Sequence, residues 1–192
     1  SNPSLATAKA LTINGLADCS YTFYDGSPTQ APPSNYLDVG GYKNLAYLRV
    51  KLKNNDKIQG GNPTITYIAK GRIVEVYRNG SWVKEFSDNP AWCLRDYLIN
   101  KRFGTGRWIK KADLDEQSFI EAAAYCDELV KIKAADGTDK WEKRYTLNII
   151  LDQKKRAIEH IGDILANFAR FLTIANDMIA LRIEKATAKS YD

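Results

Sequence analysis

The period of the hydrophobic pattern changes at Ser87, and that change limits the fold more than any other feature of the sequence. Upstream, residues 72–77 and 82–86 flank Asn79-Gly80. Two strand-like runs around Asn-Gly predict a hairpin, because a type I′ turn needs positive φ at both central residues. Downstream, Asn89 is a good N-cap, and Pro90 suits the first helical position, where its missing N–H costs nothing. Ala91, Leu94 and Leu98 then share one helix face, broadened by Trp92, Cys93 and Tyr97. The helix is expected to stop near Asn100, with Gly104 and Gly106 forming a flexible link. The stretch SDNPAWCLRDYLINKRFGTGR, residues 87–107, is therefore first a β-to-helix junction.

The rest of the chain extends both halves of this pattern. In residues 43–56, Ala46, Leu48, Val50 and Leu52 alternate with Tyr47, Arg49, Lys51 and Lys53, which predicts a half-buried strand. Residues 63–69 (PTITYIA) predict a second strand. Residues 1–40 have weak periodicity: a short strand at 21–24, turn material at 25–28 and 31–35, and an extended segment expected to pack on something else. A second helix is expected over 115–130, with Phe119, Ala122, Ala123, Cys126 and Leu129 inward. A turn follows at 136–139, and the alternation of Tyr145, Leu147, Ile149 and Leu151 predicts a strand. Asp152 is read as the cap of a third helix reaching about Phe171, with Ala157, Ile161, Ile164, Leu165, Phe168 and Leu172 inward. A hairpin turning at Asn176-Asp177 closes the pattern, with Ile179, Leu181 and Ile183 on one face.

The fold class is α+β: a β-rich N-terminal half with an Asn-Gly hairpin, then helices with a few antiparallel strands. Strand and helix do not alternate regularly, which argues against a doubly wound parallel sheet. The expected organisation is a loop-rich or extended segment at 1–44, a β-rich subdomain at 45–88 and an α+β subdomain at 89–192.

The 192 residues suffice for a proper core. The net charge of +5 is divided as +3 over residues 1–88 and +2 over 89–192, so it is spread along the chain. Nucleic-acid binders concentrate such an excess on one face. Three scattered cysteines, Cys19, Cys93 and Cys126, do not form a disulfide framework, and a reducing compartment is expected. No apolar run has the length of a membrane span, and no signal peptide is recognisable at the start. Ser1-Asn2 reads as a protease-tag scar, so a longer natural chain is expected.

Each pattern capable of carrying chemistry has a plainer reading. His160 is the only histidine and would have to serve any Ser-His-Asp or Cys-His arrangement. Cys93 and Cys126 lie on inward helix faces without a nucleophile signature, so packed thiols are expected. One histidine and scattered cysteines offer no metal-ligand pair, and Asp113, Asp115 and Glu116 suit a helix N-terminus. FGTGRW, residues 103–108, is neither GxGxxG nor a P-loop and follows a helix rather than a strand. Glu121, Asp127 and Glu128 lie along or near one helix face and do not make the cleft glycoside hydrolysis needs. Lys154-Lys155-Arg156 falls in the first turn of the expected third helix, where cations oppose the dipole. Lys101, Arg102, Arg107, Lys110 and Lys111 are interleaved with Phe103 and Trp108, a mixture that suits single-stranded nucleic acid. The plainer reading is a solvated loop whose aromatics anchor it to the core, with a protein–protein contact as the next alternative. No catalytic, cofactor-binding or metal-binding residue is assigned, and no cofactor is expected.

DNPAWCLRDYL at 88–98 followed by RFGTGR at 102–107 resembles the tail-tip hub, or host-attachment, proteins of long-tailed, lambda-like phages and prophages. AYLRVKL at 46–52, GGNPTITYIAKGRIVEVY at 60–77 and AAAYCDELV at 122–130 resemble further elements of that family, in the same order. The resemblance covers roughly residues 45–185. It implies a structural, non-enzymatic virion component: hub scaffold linking the tail tube to the host-attachment fibre, made and assembled in the bacterial cytoplasm. It implies a fragment of a longer tail protein, forming a homotrimer in the full assembly and contacting tail-tube, tape-measure and tip proteins. A small-molecule substrate, a membrane and nucleic acid are not expected partners. The alternative from another class is a basic nucleic-acid-binding module using residues 101–111.

Overall fold

The computed structural model describes residues 7–11, 19–33, 42–43, 45–52, 67–168 and 170–183. The chain divides into two compact units, residues 1–73 and 74–192. The described strands pair two by two, and the architecture is α+β as expected.

In the first unit, β1 (Thr7–Leu11) pairs antiparallel with β4 (Tyr67–Lys70), and β2 (Cys19–Asp25) with β3 (Ala46–Leu52). The N-terminal segment thus supplies the partners of the strands predicted after it. β3 shows no clean alternation, since only Lys51 is exposed and both faces are half-covered. The predicted residues 63–66 of the second strand lie outside the described part. After β2 the chain turns at Gly26, whose φ is +77°, and an added Cβ would lie 3.0 Å from the Leu45 carbonyl carbon. The buried Gln30 holds this turn: Oε1 accepts from Gly26 N–H at 2.7 Å, while Nε2 donates to the Tyr42 carbonyl at 3.2 Å.

The second unit opens with the hairpin β5 (Ile73–Arg78) and β6 (Ser81–Phe86). Its turn has φ of +50° at Asn79 and +82° at Gly80, as a type I′ turn requires. Helix α1 (Pro90–Ile99) begins where expected. Asn89 Oδ1 accepts from the Ala91 N–H at 3.0 Å, and its amide donates to the Ala123 carbonyl at 2.9 Å, so one buried cap also ties two helices together.

Helix α2 (Glu116–Asp127) is shorter than expected. Residues 129–130 belong instead to β7 (Leu129–Lys133), which pairs with β8 (Asp139–Lys143) across a turn at Gly137. Leu129, expected inward on a helix, is 64% exposed on this ribbon. Its own run, Leu-Val-Lys-Ile-Lys, carries the alternation of a strand, and pairing with β8 satisfies backbone groups a longer helix would have used.

The strand expected at 145–151 does not form. The Tyr145 N–H donates to the Cys126 carbonyl at 3.2 Å and the Leu147 N–H to the Asp88 carbonyl at 2.7 Å. These bonds lash the segment to a helix end and to the junction, without a ladder. Leu147 is buried, while Ile149 and Leu151 are exposed.

Helix α3 (Ala157–Ala166) starts later than expected and ends earlier. Glu159 accepts from the Arg156 N–H at 3.0 Å and fixes the start there, so Asp152 is not the cap and Lys154-Lys155-Arg156 precedes the helix. Phe168 is buried beyond the helix end, and Leu172 lies in β9 (Arg170–Ala175). β9 and β10 (Met178–Ile183) form the closing hairpin as expected, and Asn176 and Asp177 at its turn have positive φ.

The core joins Val74 and Val76 of β5, Ala91, Leu94 and Leu98 of α1, Phe119, Ala122 and Cys126 of α2, Ile161 and Ile164 of α3, and Leu181 of β10. Ser118 fastens β10 to α2: its hydroxyl accepts from the Leu181 N–H at 2.9 Å and donates to the Asp115 carbonyl at 2.7 Å.

Candidate interaction surface

The apolar core of the second unit has a buried cation beside it. Arg95 follows Ala91 by four residues and precedes Leu98 by three, so it lies on the buried face of α1, and it is 1% exposed. Its Nε and Nη2 donate to the two carboxylate oxygens of Glu116, both at 2.7 Å, and Nη1 donates to Glu75 at 3.3 Å. The guanidinium carbon lies 4.0 Å from the centroid of the Trp82 ring. One side chain therefore connects both strands of the first hairpin to the start of α2 through a bidentate ion pair and a cation–π contact. Burial pushes the Glu75 carboxyl up, but Lys111 and Arg95 beside it bring it below its ordinary value. Sequence reasoning missed this group, although an arginine sharing a face with Ala91 and Leu98 was the available signal.

A second buried cation lies at the far end of α2. Arg170 packs over the ring of Tyr125 at 4.6 Å and lies 5.7 Å from that of Tyr145.

The loop after α1 is built as tightly as the core. The Asn100 carbonyl accepts from the N–H groups of Gly104 and Gly106 at 3.1 and 3.0 Å, and the Tyr97 carbonyl accepts from Thr105 N–H at 3.0 Å. Thr105 Oγ1 donates to the Leu98 carbonyl at 2.8 Å, and Asn100 Oδ1 accepts from the N–H groups of Arg102 and Phe103. The orphan carbonyls of Tyr97 and Leu98 at the helix end are thereby satisfied. An added Cβ at Gly104 would lie 1.8 Å from the Tyr97 oxygen, and one at Gly106 2.1 Å from the Ile99 oxygen. The glycines permit this close approach, so the link expected to be flexible is a folded-back cap.

The aromatics of this loop do not anchor it to the core, in contrast to the expectation. Phe103 is 60% and Trp108 75% exposed. Arg102 lies over the Phe103 ring at 4.9 Å. The basic cluster divides. Lys110 donates to the Gly106 and Arg107 carbonyls, while Lys111 pairs with Glu75 and covers Trp82. Both are spent on the fold, which leaves Lys101, Arg102 and Arg107 with no carboxylate partner among the described residues.

The other sequence candidates are scattered. Burial pushes the Cys93 thiol up to about 12 and the Cys126 thiol up to about 11, so both are protonated at neutral pH and poor nucleophiles. The Cys19 side chain lies outside the described part. His160 packs edge-on to Tyr97 with ring centroids 6.0 Å apart. Asp115 caps α2, Asp113 accepts from the Lys110 N–H, and Glu116 is committed to Arg95. Glu121 accepts from Gln117, Asp127 pairs with Lys143 and Glu128 with Arg144. Lys155 pairs with Asp163 and Arg156 with Glu159. Among the described residues no group of three or more His, Cys, Asp or Glu is placed to hold a metal, and no helix is long and apolar enough to cross a membrane. A cavity of about 300 Å³ in the first unit is lined by Pro33, Tyr42, Leu45, Tyr47, Leu48 and Arg49. What the second unit offers to its surroundings is surface: Phe103, Trp108, Trp141 and Ile174 all stand out into solvent.

No family model matches the chain. It is 30% identical over 142 residues to tip attachment protein J of Escherichia phage SECphi27, a match covering 67% of this chain and 12% of that protein. It is 29% identical over 139 residues to tip attachment protein J of Escherichia phage SECphi4, covering 66% of this chain and again 12% of the relative. The chain thus spans about an eighth of the length of the curated relatives it matches. Over that matched part, the chain belongs to the phage tip attachment protein family.

Proposed function

We propose that this chain is a structural piece of a phage or prophage tail tip, hub scaffold between the tail tube and the fibre that meets the host. The observation that carries this reading is the match to the tip attachment proteins over two thirds of the chain. The chemistry of the described part supports a structural role. Its thiols are held protonated, and Glu75 and Glu116 on Arg95, Asp88 and Asp127 on Lys143 and Glu128 on Arg144 are occupied by cations of the same chain. Several large apolar side chains stand exposed, as a protein working through contact requires. In the full assembly the chain acts within a homotrimer and contacts tail-tube, tape-measure and tip proteins, since cyclic symmetry reuses one surface patch in every subunit. It is made and assembled in the bacterial cytoplasm and catalyses no reaction.

Immunogold electron microscopy tests this reading. Antibody raised to the chain is applied to particles induced from the source strain. Label at the distal tip of the tails is the expected result, and tails without tip label would overturn it.

A further inference from the structure

The loop at residues 100–110 joins three properties seldom found together. It is rigidly built, through the hydrogen bonds that fold it back on the end of α1. It holds Phe103 and Trp108 in solvent. It carries Lys101, Arg102 and Arg107 without carboxylate partners among the described residues. A mobile loop with exposed aromatics would lose conformational entropy on binding, whereas one already ordered loses little. Tryptophan and arginine at a preorganised site are the side chains that dominate protein interfaces.

We propose that this loop docks onto an acidic protein surface with an apolar recess, carried by a different tail polypeptide. Trp108 and Phe103 fill the recess, and Arg102, Arg107 and Lys101 meet carboxylates around it. Charge complementarity selects this occupant over a second copy of the chain. Around the second unit, Glu85, Asp88, Asp127, Glu128, Asp139, Glu142, Glu159 and Asp163 each already pair with a lysine or arginine of the same chain. A second copy carries the same net charge of +5 and offers the loop mostly carboxylates that are already neutralised. A nucleic-acid strand is a poorer occupant too, because Lys110 and Lys111 are bonded within the fold and only three of the five cations of the cluster remain for a strand's phosphates. The proposal rests on the tail-protein reading for the identity of the partner only.

Site-specific photocrosslinking in assembled particles tests it. Benzoylphenylalanine replaces Phe103 or Trp108 in the natural full-length protein, with the exposed Ala124 of α2 as the control position. Expected are crosslinks from 103 and 108, absent from 124, to an acidic segment of a different tail polypeptide. The double variant Arg102→Glu/Arg107→Glu should lower the yield from 108 by about tenfold. Circular dichroism of that variant should match the parent. Crosslinks to another copy of this chain, crosslinks to nucleic acid, or a yield no higher than at 124 would each overturn the proposal while leaving the tail reading intact. Particles in which immunoblotting finds none of the chain would overturn the tail reading, and the proposal with it.

Discussion

Arg95 shows how one side chain can set the stability of a small unit. Methionine at this position keeps much of the volume but leaves the Glu75 and Glu116 carboxylates without their shared cation. Removing one partner of a buried ion pair costs more than the pair contributes, because the charges left behind are uncompensated. Both carboxylates keep some solvent contact, so Arg95→Met is expected to lower unfolding free energy by about 2–3 kcal/mol, read from urea denaturation. Lysine should not rescue it, since a single ammonium cannot reproduce the bidentate grip on Glu116. The same cluster sets a pH dependence. The Glu75 carboxyl is held below its ordinary value of 4.5, so the folded state binds its proton less readily than the unfolded chain. This contribution is fully present above about pH 4.5 and is lost as pH falls through the lowered folded-state value. Glu75→Gln should flatten that part of the acid limb in denaturation curves collected between pH 6 and 3. The glycines of the loop are equally local in effect. Gly104→Ala would force a methyl onto the Tyr97 carbonyl, which cannot move without unwinding the last turn of α1. A loss of about 3 kcal/mol is expected, and a variant as stable as the parent in urea would refute the close-approach account.

At the scale of elements, the helix starts and hairpin turns were legible because they depend on residues a few positions apart. Asn89-Pro90 begins α1, and Asn79-Gly80 and Asn176-Asp177 make turns with positive φ, through purely local preferences. Element ends were less legible. Residues 129–133 fit the tail of an amphipathic helix and also a strand, and the partner at 139–143 decided between them. Residues 145–151 alternate like a strand but pair with no strand among the described residues. The β7–β8 ribbon carries a testable consequence. It is a two-stranded sheet with Leu129 and Trp141 exposed, and such ribbons are marginal without a covered face. Its amides should exchange with solvent well before those of α1 and α2, measured by hydrogen–deuterium exchange. Equal protection in the two regions would show that the ribbon is covered in solution.

At the scale of the whole molecule, the buried hydrophobic core identified among the described residues lies entirely within residues 74–192. In the first unit the described buried residues are Gly26, Gln30 and Pro33, held by hydrogen bonds as much as by apolar packing. A chain beginning at Arg72, which keeps all of β5, is therefore expected to fold by itself and to unfold in a single cooperative transition. Thermal circular dichroism checks this, and a loss of the transition would show that the second unit depends on the first.

The α+β class, the junction at Ser87, the hairpin turns and the inward face of α1 are legible in the residues alone, because each follows from propensity and spacing within a few residues. The ordered motifs also sufficed to point to the tip attachment family. That the N-terminal segment pairs with β3 and β4, that Arg95 lies at the centre of an ion cluster and that Phe103 and Trp108 face solvent emerge only from the folded chain. The reason is distance along the chain. Glu75, Trp82 and Glu116 are 20, 13 and 21 residues from Arg95, and no local period encodes which of them it will meet. An exposed tryptophan reads as a buried one until the backbone shows that its loop has already satisfied its hydrogen bonds without it.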